Sequence, residues 1–453
     1  MNSPTAQSIS APSITHGTVW ALAGPMIVAN LSVPLVGAVD TAVVGHLPEP
    51  HHIGAVALGA LIFSFLYWGF GFLRMGTTGF IARAYGANDE IALARITLRF
   101  LMLGLLLGLA VILIGQPLIR FALYCIDSSL KVERLAEQYA LIRLWSAPAT
   151  LSIYVFTGIF IGLHNTRLAL VLQLVLNLVN IALDLLFVPV LEWGVAGVAW
   201  ATLIAEYTAA LCGFILLRKS LIKALKTADW SQILQASALK EMMRANGNIF
   251  IRTLCLVFSF ALFTAQSARH GELILAANTI LIHLHSMMAY GLDGFAFAVE
   301  ALGGSAYGAK NLSNFKRAVA LTSLWSAGMA VTVGIGYFLF GHTVVSWFTE
   351  ISEVIKTADQ YLIWMIISPI ISFWSFQLDG LFIGTGHTKS MRNAMLVSAT
   401  GYLIMVCLFQ AIWGNHGLFM ALTGFMMLRA ITLFLYYPSV VRSIAEQSIN
   451  SAN

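Results

Sequence analysis

Long apolar runs recur along nearly the whole chain, broken by short connections that hold Pro, Gly, Asn, Lys and Arg. A spanning helix needs about 20 mostly apolar residues. Twelve stretches meet that requirement, at approximately 17–45, 53–82, 94–116, 136–162, 166–190, 194–217, 247–268, 273–304, 316–340, 358–385, 390–413 and 417–440. The pattern predicts an all-α integral membrane protein. Composition removes the soluble alternative. Of 453 residues, 59% are hydrophobic and 10% charged, against about 25% charged in a soluble domain. A bilayer accommodates that surface because helices satisfy their own backbone hydrogen bonds.

The residues before the first stretch are polar and lack Lys and Arg, and the stretch itself is long and carries Asp40. It reads as a spanning helix and not as a cleaved signal peptide. Cys125, Cys212, Cys255 and Cys407 are isolated, so they form neither a metal-type spacing nor a disulfide framework, and are expected as buried structural thiols.

Basic residues set the orientation, since short cytoplasmic loops retain them. Arg218, Lys219, Lys223, Lys226, Lys240 and Arg244 fall between the sixth and seventh stretches, and Arg83, Arg167, Lys310, Lys316, Lys389 and Arg392 in the other even-numbered connections. The odd-numbered connections offer only Arg120, Lys131, Arg134, Arg269 and Lys356. Both termini are expected on the cytoplasmic side. The net charge of +5 follows from this topology and from contact with membrane lipids, and calls for no nucleic-acid partner.

Comparing the chain with itself at an offset of 222 residues returns ordered matches: Ala84-Tyr85-Gly86-Ala87 on Ala306-Tyr307-Gly308-Ala309, Arg95 on Arg317, Tyr139 on Tyr361, Gly158 and Gly162 on Gly380 and Gly384, and Thr166 on Thr388. Pro148 and Pro369 fall one residue out of register in the fourth and tenth stretches. Each half thus supplies six helices. An even number per repeat leaves both halves in the same membrane orientation, the arithmetic of a two-lobe transporter. The expected division is a first lobe over 1–217, a basic cytoplasmic linker over 218–246 and a second lobe over 247–453.

Charge within the apolar stretches is costly, about 2.5–3.5 kcal/mol at mid-bilayer on insertion scales, and marks functional or paired groups. The acidic candidates are Asp40, Asp184, Asp293, Glu300 and Asp379, and the basic ones Arg74, Arg143, Arg252 and Arg429. Asp184 follows Asn180 by one helical turn, so both share a face of the fifth helix. A carboxylate beside an amide suits a proton or a small cation. Pro25 and Pro34 precede Asp40 in the first helix and give it places to bend. Within the first, fifth and sixth stretches the only Lys or Arg is Arg167, at the very start of the fifth, and Val406 stands where Asp184 would repeat, so the acidic site belongs to the first half. Asp293 and Glu300 share a face of the eighth helix, with Arg252 as the expected partner. Asp379 is undecided, and Arg74 among Gly69, Gly71, Gly76 and Gly79 is expected to serve close helix packing.

Two segments carry a family resemblance. Pro25-Met26 through Pro34-Leu35 to Val39-Asp40-Thr41-Ala42-Val43-Val44-Gly45-His46-Leu47, with Gly291-Leu292-Asp293-Gly294-Phe295-Ala296-Phe297-Ala298-Val299-Glu300-Ala301-Leu302, resembles the DinF branch of the multidrug and toxic compound extrusion (MATE) family. The resemblance covers essentially the whole chain. It implies a V-shaped pair of pseudo-symmetric six-helix lobes around a central cavity, in the inner membrane of a bacterium. The implied activity is cation-coupled export of small amphipathic, often cationic, organic compounds, by a protein that acts as a monomer and needs no cofactor. It also implies a proton or sodium site at Asp40, Asn180, Asp184 and Thr202, and bending of the first helix at Pro25. The NorM-like branch carries acidic ligands on the seventh helix, where this chain has Arg252. Proton coupling through the first lobe is therefore the expectation, with sodium at the same oxygens as the alternative.

Other classes find less support. A flippase of lipid-linked precursors predicts a basic cavity, and Arg74, Arg143 and Arg252 are scattered. An enzyme would need a nucleophile with a base, or a metal site. No His-Glu-x-x-His or phosphate-binding Gly-rich loop occurs, and His283 and His285 point to different helix faces.

Overall fold

The structure, a computed structural model, describes residues 13–45, 51–126, 129–226 and 228–450, so His46 and Leu47 of the first-helix motif lie outside it. Among the described residues every regular element is helical. In chain order these are α1 (His16–Gly45), α2 (His51–Gly69), α3 (Phe72–Gly86), α4 (Glu90–Cys125), α5 (Leu130–Leu144), α6 (Ala147–Gly162) and α7 (Thr166–Phe187). There follow α8 (Gly194–Lys226), α9 (Trp230–Ile233), α10 (Ala236–Arg269), α11 (Glu272–Gly308), α12 (Leu312–Ser346), α13 (Ser352–Thr385) and α14 (Thr388–Asn450).

These elements make twelve crossings. α2 and α3 continue as one apolar span over His51–Gly86, and α5 and α6 form a single span bent by 55°. At 63 residues, α14 is about 95 Å long at 1.5 Å per residue, far more than the roughly 30 Å of hydrocarbon it has to cross. Its backbone leaves the helical region at Gly414 (φ 55°, ψ −129°), which divides it into two crossings. The proline pair behaves unequally. Pro148 sits in the first turn of α6, just after the bend, whereas Pro369 is carried inside an unbroken α13.

The polar interruption between the halves is mostly helical. α8 runs on through its basic end to Lys226, α10 begins at Ala236, and α9 is tied back onto α4 by Arg99, whose Nε and Nη2 donate to the carbonyls of Ile233 (2.9 Å) and Gln232 (2.6 Å).

The repeat is visible in backbone detail. After each Ala-Tyr-Gly-Ala the chain turns through a left-handed residue, Asn88 (φ 54°) or Lys310 (φ 55°). The following Asp89 or Asn311 then caps the next helix, accepting from Ala92 N (2.8 Å) or Asn314 N (2.9 Å). Gly158 and Gly162 let α6 lie against the α3 backbone at Arg74 and Thr78, and Gly380 and Gly384 let α13 lie against the α11 backbone at Ala296 and Glu300. Each of these positions is displaced by the same 222 residues. A Cβ at any of the four glycines would meet a backbone carbonyl, so the bare glycine face sets how closely the helices pack.

One large apolar core is built almost wholly from first-half helices and another, over Phe263 to Met426, wholly from second-half helices. The outer surface is apolar as well, with Leu113, Phe338 and Leu435 exposed where lipid would lie. That surface corrects one expectation. All four cysteines are free thiols, but Cys125 and Cys407 are exposed and Cys212 and Cys255 only partly covered. In a bilayer protein an apolar stretch faces lipid as often as it faces the core.

Candidate functional site

Between the two halves lies a cavity of about 830 Å³. Its first-half wall carries Asp40, Tyr67, Arg74, Tyr139, Arg143 and Tyr154, and its second-half wall Arg252, His285, Asp293, Glu300, Asp379 and Arg429. Both walls are made from helical residues, and aromatic rings such as Phe63, Trp68, Phe260 and Phe376 line the cavity among the charged groups.

Asp40 and Asp184 meet side by side between α1 and α7. Asp184 is fully buried, and Asp40 also lines the cavity, so one carboxyl group belongs to both places. Asp40 Oδ1 and both Asp184 oxygens are buried with no hydrogen-bond partner among the described residues. Two carboxylates at close range bond to each other only through a proton, and are otherwise neutralised only by a cation bound between them. One turn away on α7, Asn180 Nδ2 donates to Thr202 Oγ1 (3.3 Å) on α8, and Thr202 Oγ1 donates to Val198 O (2.9 Å). Asn177 Nδ2 donates to Ser32 Oγ on α1 (2.7 Å), which adds a polar tie between α1 and α7.

α1 remains a single helix through Pro25 and Pro34. Pro25 has no N–H for the Ala21 carbonyl. Thr166, at the start of α7, supplies the missing donor, its Oγ1 to Ala21 O at 3.2 Å.

Sequence reasoning missed the neighbour of this site. Glu206, on α8 and buried, accepts from Arg143 Nη2 (3.1 Å) and from Thr150 Oγ1 (2.7 Å), and Arg143 Nη1 donates to Tyr139 Oη (3.4 Å). The signal was available, since Glu206 stands in an apolar stretch one turn from Thr202. α5 thereby carries a guanidinium to the edge of the acidic pair, but the guanidinium is bonded to Glu206.

In the second half the expected pairing is corrected. Arg252 does not bond Asp293 or Glu300. Its Nη2 donates to Asp379 Oδ2, the same oxygen that accepts from Arg429 Nη2. Glu300 pairs with Arg74 (3.3 Å), which also lies over the Phe297 ring at 4.5 Å, so Arg74 bridges the two halves while Gly76 and Gly79 allow the close packing around it. Arg252 stands on the helix just before Asp293 and Glu300 in sequence, whereas α13 brings Asp379 into contact with it and α14 brings Arg429 to the same carboxylate.

Beyond Arg74 and Glu300 the halves touch and one end of the cavity closes. A Cβ on Gly86 would strike the Ser305 carbonyl and one on Gly308 the Arg83 carbonyl, so the two Ala-Tyr-Gly-Ala repeats pack reciprocally. His164 Nε2 donates across the same seam to Ala301 O (3.0 Å).

Among the described residues no cluster of three or more His, Cys, Asp or Glu side chains could hold a metal ion. His285 lines the cavity while His283 stacks on Phe348 (6.0 Å), on different faces of α11.

Comparison with known proteins places this architecture. The MatE family model matches twice, at residues 25–186 and 249–409. The chain is 39% identical to DNA damage-inducible protein F of Escherichia coli over 92% of its own length and 90% of that protein's. It is 21% identical to the multidrug export protein MepA of Staphylococcus aureus, over 88% of each chain. Among solved structures, the outward-facing conformation of a multidrug resistance MATE family transporter of the MOP superfamily superposes with a TM-score of 0.84 at 21% identity, covering 95% of this chain and 97% of that one.

Proposed function

Because the chain belongs to the MatE family and is a multi-pass membrane transporter, not an enzyme, we propose that it exports amphipathic, often cationic, organic compounds by proton-coupled antiport. The observation that carries this reading is the double membership of Asp40, in the cavity wall and in a buried carboxyl pair with Asp184 that no described donor serves. A proton entering that pair removes the repulsion across α1 and α7, and α1 also forms part of the chamber. Proton binding and substrate release then compete through one helix, hinged where Pro25 interrupts its hydrogen bonding. The lobes over 1–217 and 247–453, joined by 218–246, rock about the glycine seam, with both termini cytoplasmic, in a bacterial inner membrane. Each proton moving inward on its charge contributes about 2.3 kcal/mol per 100 mV of membrane potential.

Sodium is the second reading. Asp40, Asp184, Asn180 and Thr202 offer carboxylate, amide and hydroxyl oxygens, a set that suits a hard cation. The second half offers no equivalent pair of carboxylates, since its Asp379 is bound by two arginines and its Glu300 by Arg74, which leaves Asp293 single. Lipid-precursor flipping is less favoured, because Arg74, Arg143 and Arg252 sit in three separate ion pairs and do not converge.

The test is uptake of a fluorescent lipophilic cation into inverted vesicles holding the purified protein, under an imposed pH or sodium gradient. Uptake driven by the proton gradient and lost in Asp40→Asn supports the proposal. Uptake driven by sodium alone selects the second reading, and uptake that neither gradient drives overturns both.

A further inference from the structure

The acidic groups of the cavity wall fall into two sets. Asp40 meets Asp184, Glu300 meets Arg74, and Asp379 meets both Arg252 and Arg429. Asp293 lines the same cavity, yet neither of its oxygens has a hydrogen bond or ion pair among the described residues. Neither oxygen is among the occluded polar atoms, so the carboxylate opens onto the cavity. A second group is open in the same wall. Arg252 spends Nη2 on Asp379 and its Nε is occluded, while Nη1 is neither bonded to a described residue nor occluded.

The charges of this wall also count to a balance. Once Arg74 is counted, which reaches across from the first half to pair with Glu300, Arg74, Arg252 and Arg429 stand against Asp293, Glu300 and Asp379. Pairing leaves one guanidinium charge in surplus at Asp379 and one carboxylate charge in surplus at Asp293, held apart on neighbouring helices α10 and α11. A bare cation at Asp293 would lie near the surplus guanidinium. A molecule with separated opposite charges meets both without disturbing the balance. Tyr290 and Phe297, one helical turn either side of Asp293, also line the cavity and present aromatic surface. The volume of about 830 Å³ lies within the range of sites that enclose drug-sized molecules, roughly 300–1,000 Å³.

We propose that the second-half wall of the cavity is a subsite for amphipathic zwitterions, with a cationic nitrogen at the Asp293 carboxylate and an anionic group at Nη1 of Arg252. The inference takes the cavity to be the substrate chamber, as in the preceding section, but does not depend on which ion drives transport.

The test is equilibrium binding, by fluorescence polarisation, of one rhodamine dye in two forms to the purified full-length protein. The free benzoic acid is a zwitterion when ionised, and its methyl ester is a permanent cation. In wild type the acid should bind about tenfold more tightly than the ester, the size of one charge-assisted hydrogen bond. Asp293→Asn should weaken both forms. Arg252→Lys keeps a cation for Asp379 but removes the second nitrogen of the fork, and should erase the preference for the acid while leaving the ester's affinity in place. Equal or tighter binding of the ester in wild type overturns the proposal without any variant. So does an unchanged affinity of both forms in Asp293→Asn that elutes as a folded protein, or an unchanged preference in Arg252→Lys. Binding needs no gradient, so a protein that prefers the acid but transports nothing would sink the antiport reading and leave this one standing.

Discussion

The two halves share a frame and share almost none of their charges. At the common offset, Asp184 faces Val406, Asp379 faces Thr157, Arg252 faces Asn30 and Arg429 faces Tyr207. The glycines that bring α6 onto α3 and α13 onto α11 are kept in both halves. The repeat therefore carries the packing, while the charged chemistry differs from one side to the other. In the first half two carboxyls meet and their oxygens lack donors. In the second, one carboxylate carries two arginines. The first arrangement is unfinished without an added proton or cation, whereas the Asp379 carboxylate already holds its counter-charges.

The largest effect that sharpens this contrast is on transport. Asp184→Asn removes one of the two facing carboxyls, and gradient-driven dye uptake in vesicles should fall to the background of empty liposomes. Uptake at the wild-type rate would mean that the pair is not where coupling occurs.

Stability should depend more on Asp379 than on Asp184. Asp379→Asn leaves two buried guanidiniums without their counter-charge, and breaking a buried pair in this way costs about 3–5 kcal/mol. Asp184→Asn relieves a buried carboxylate that has no donor, and should leave stability unchanged or raise it. Thermal unfolding in one detergent compares the two directly, and a larger drop for Asp184→Asn would reverse the assignment of which carboxylate is paired.

The glycine seam is the next target, with an expected cost of about 1–3 kcal/mol for overpacking a close contact. Gly86→Ala and Gly308→Ala each drive a methyl into a carbonyl of the other half, while Gly247→Ala meets nothing within 4 Å. The first two should lower the thermal midpoint by similar amounts and the third should not. Unequal effects of Gly86 and Gly308 would show that the seam is not reciprocal.

Most of the fold was legible in the chain, because lipid-facing helices announce themselves by apolar length and the repeat by its Ala-Tyr-Gly-Ala signature. The neighbours of Asp40 were partly legible, since Asn180 and Asp184 are one turn apart on a single helix. The ion pairs were not. Asp379 finds Arg252 and Arg429 across 127 and 50 residues of chain, and helix periodicity says which face a residue occupies but not which helix lies opposite. Glu206 has no basic residue within its own apolar stretch, and its partner Arg143 arrives from a different span. The free state of Asp293 could emerge only after every nearby arginine had been assigned elsewhere.

The smallest expected effect concerns the hinge, and the repeat supplies its own control. Thr166 and Thr388 occupy matching positions, at the starts of α7 and the first part of α14. Thr166 donates to the Ala21 carbonyl that Pro25 leaves open, whereas Thr388 accepts from Asn248 Nδ2 (3.2 Å). The residue matching Pro25 in α10 is Gly247, which keeps its N–H, so the second half has no orphaned carbonyl to serve. Thr166→Val should therefore cost about 1 kcal/mol, the net worth of one hydrogen bond. It should also raise hydrogen exchange in α1 around Pro25 by several-fold. Thr388→Val should leave exchange in the facing part of α10 much less affected, because the helical ladder there is intact. If the two variants loosen their partner helices equally, Pro25 is an ordinary kink and α1 has no hinge that α10 lacks.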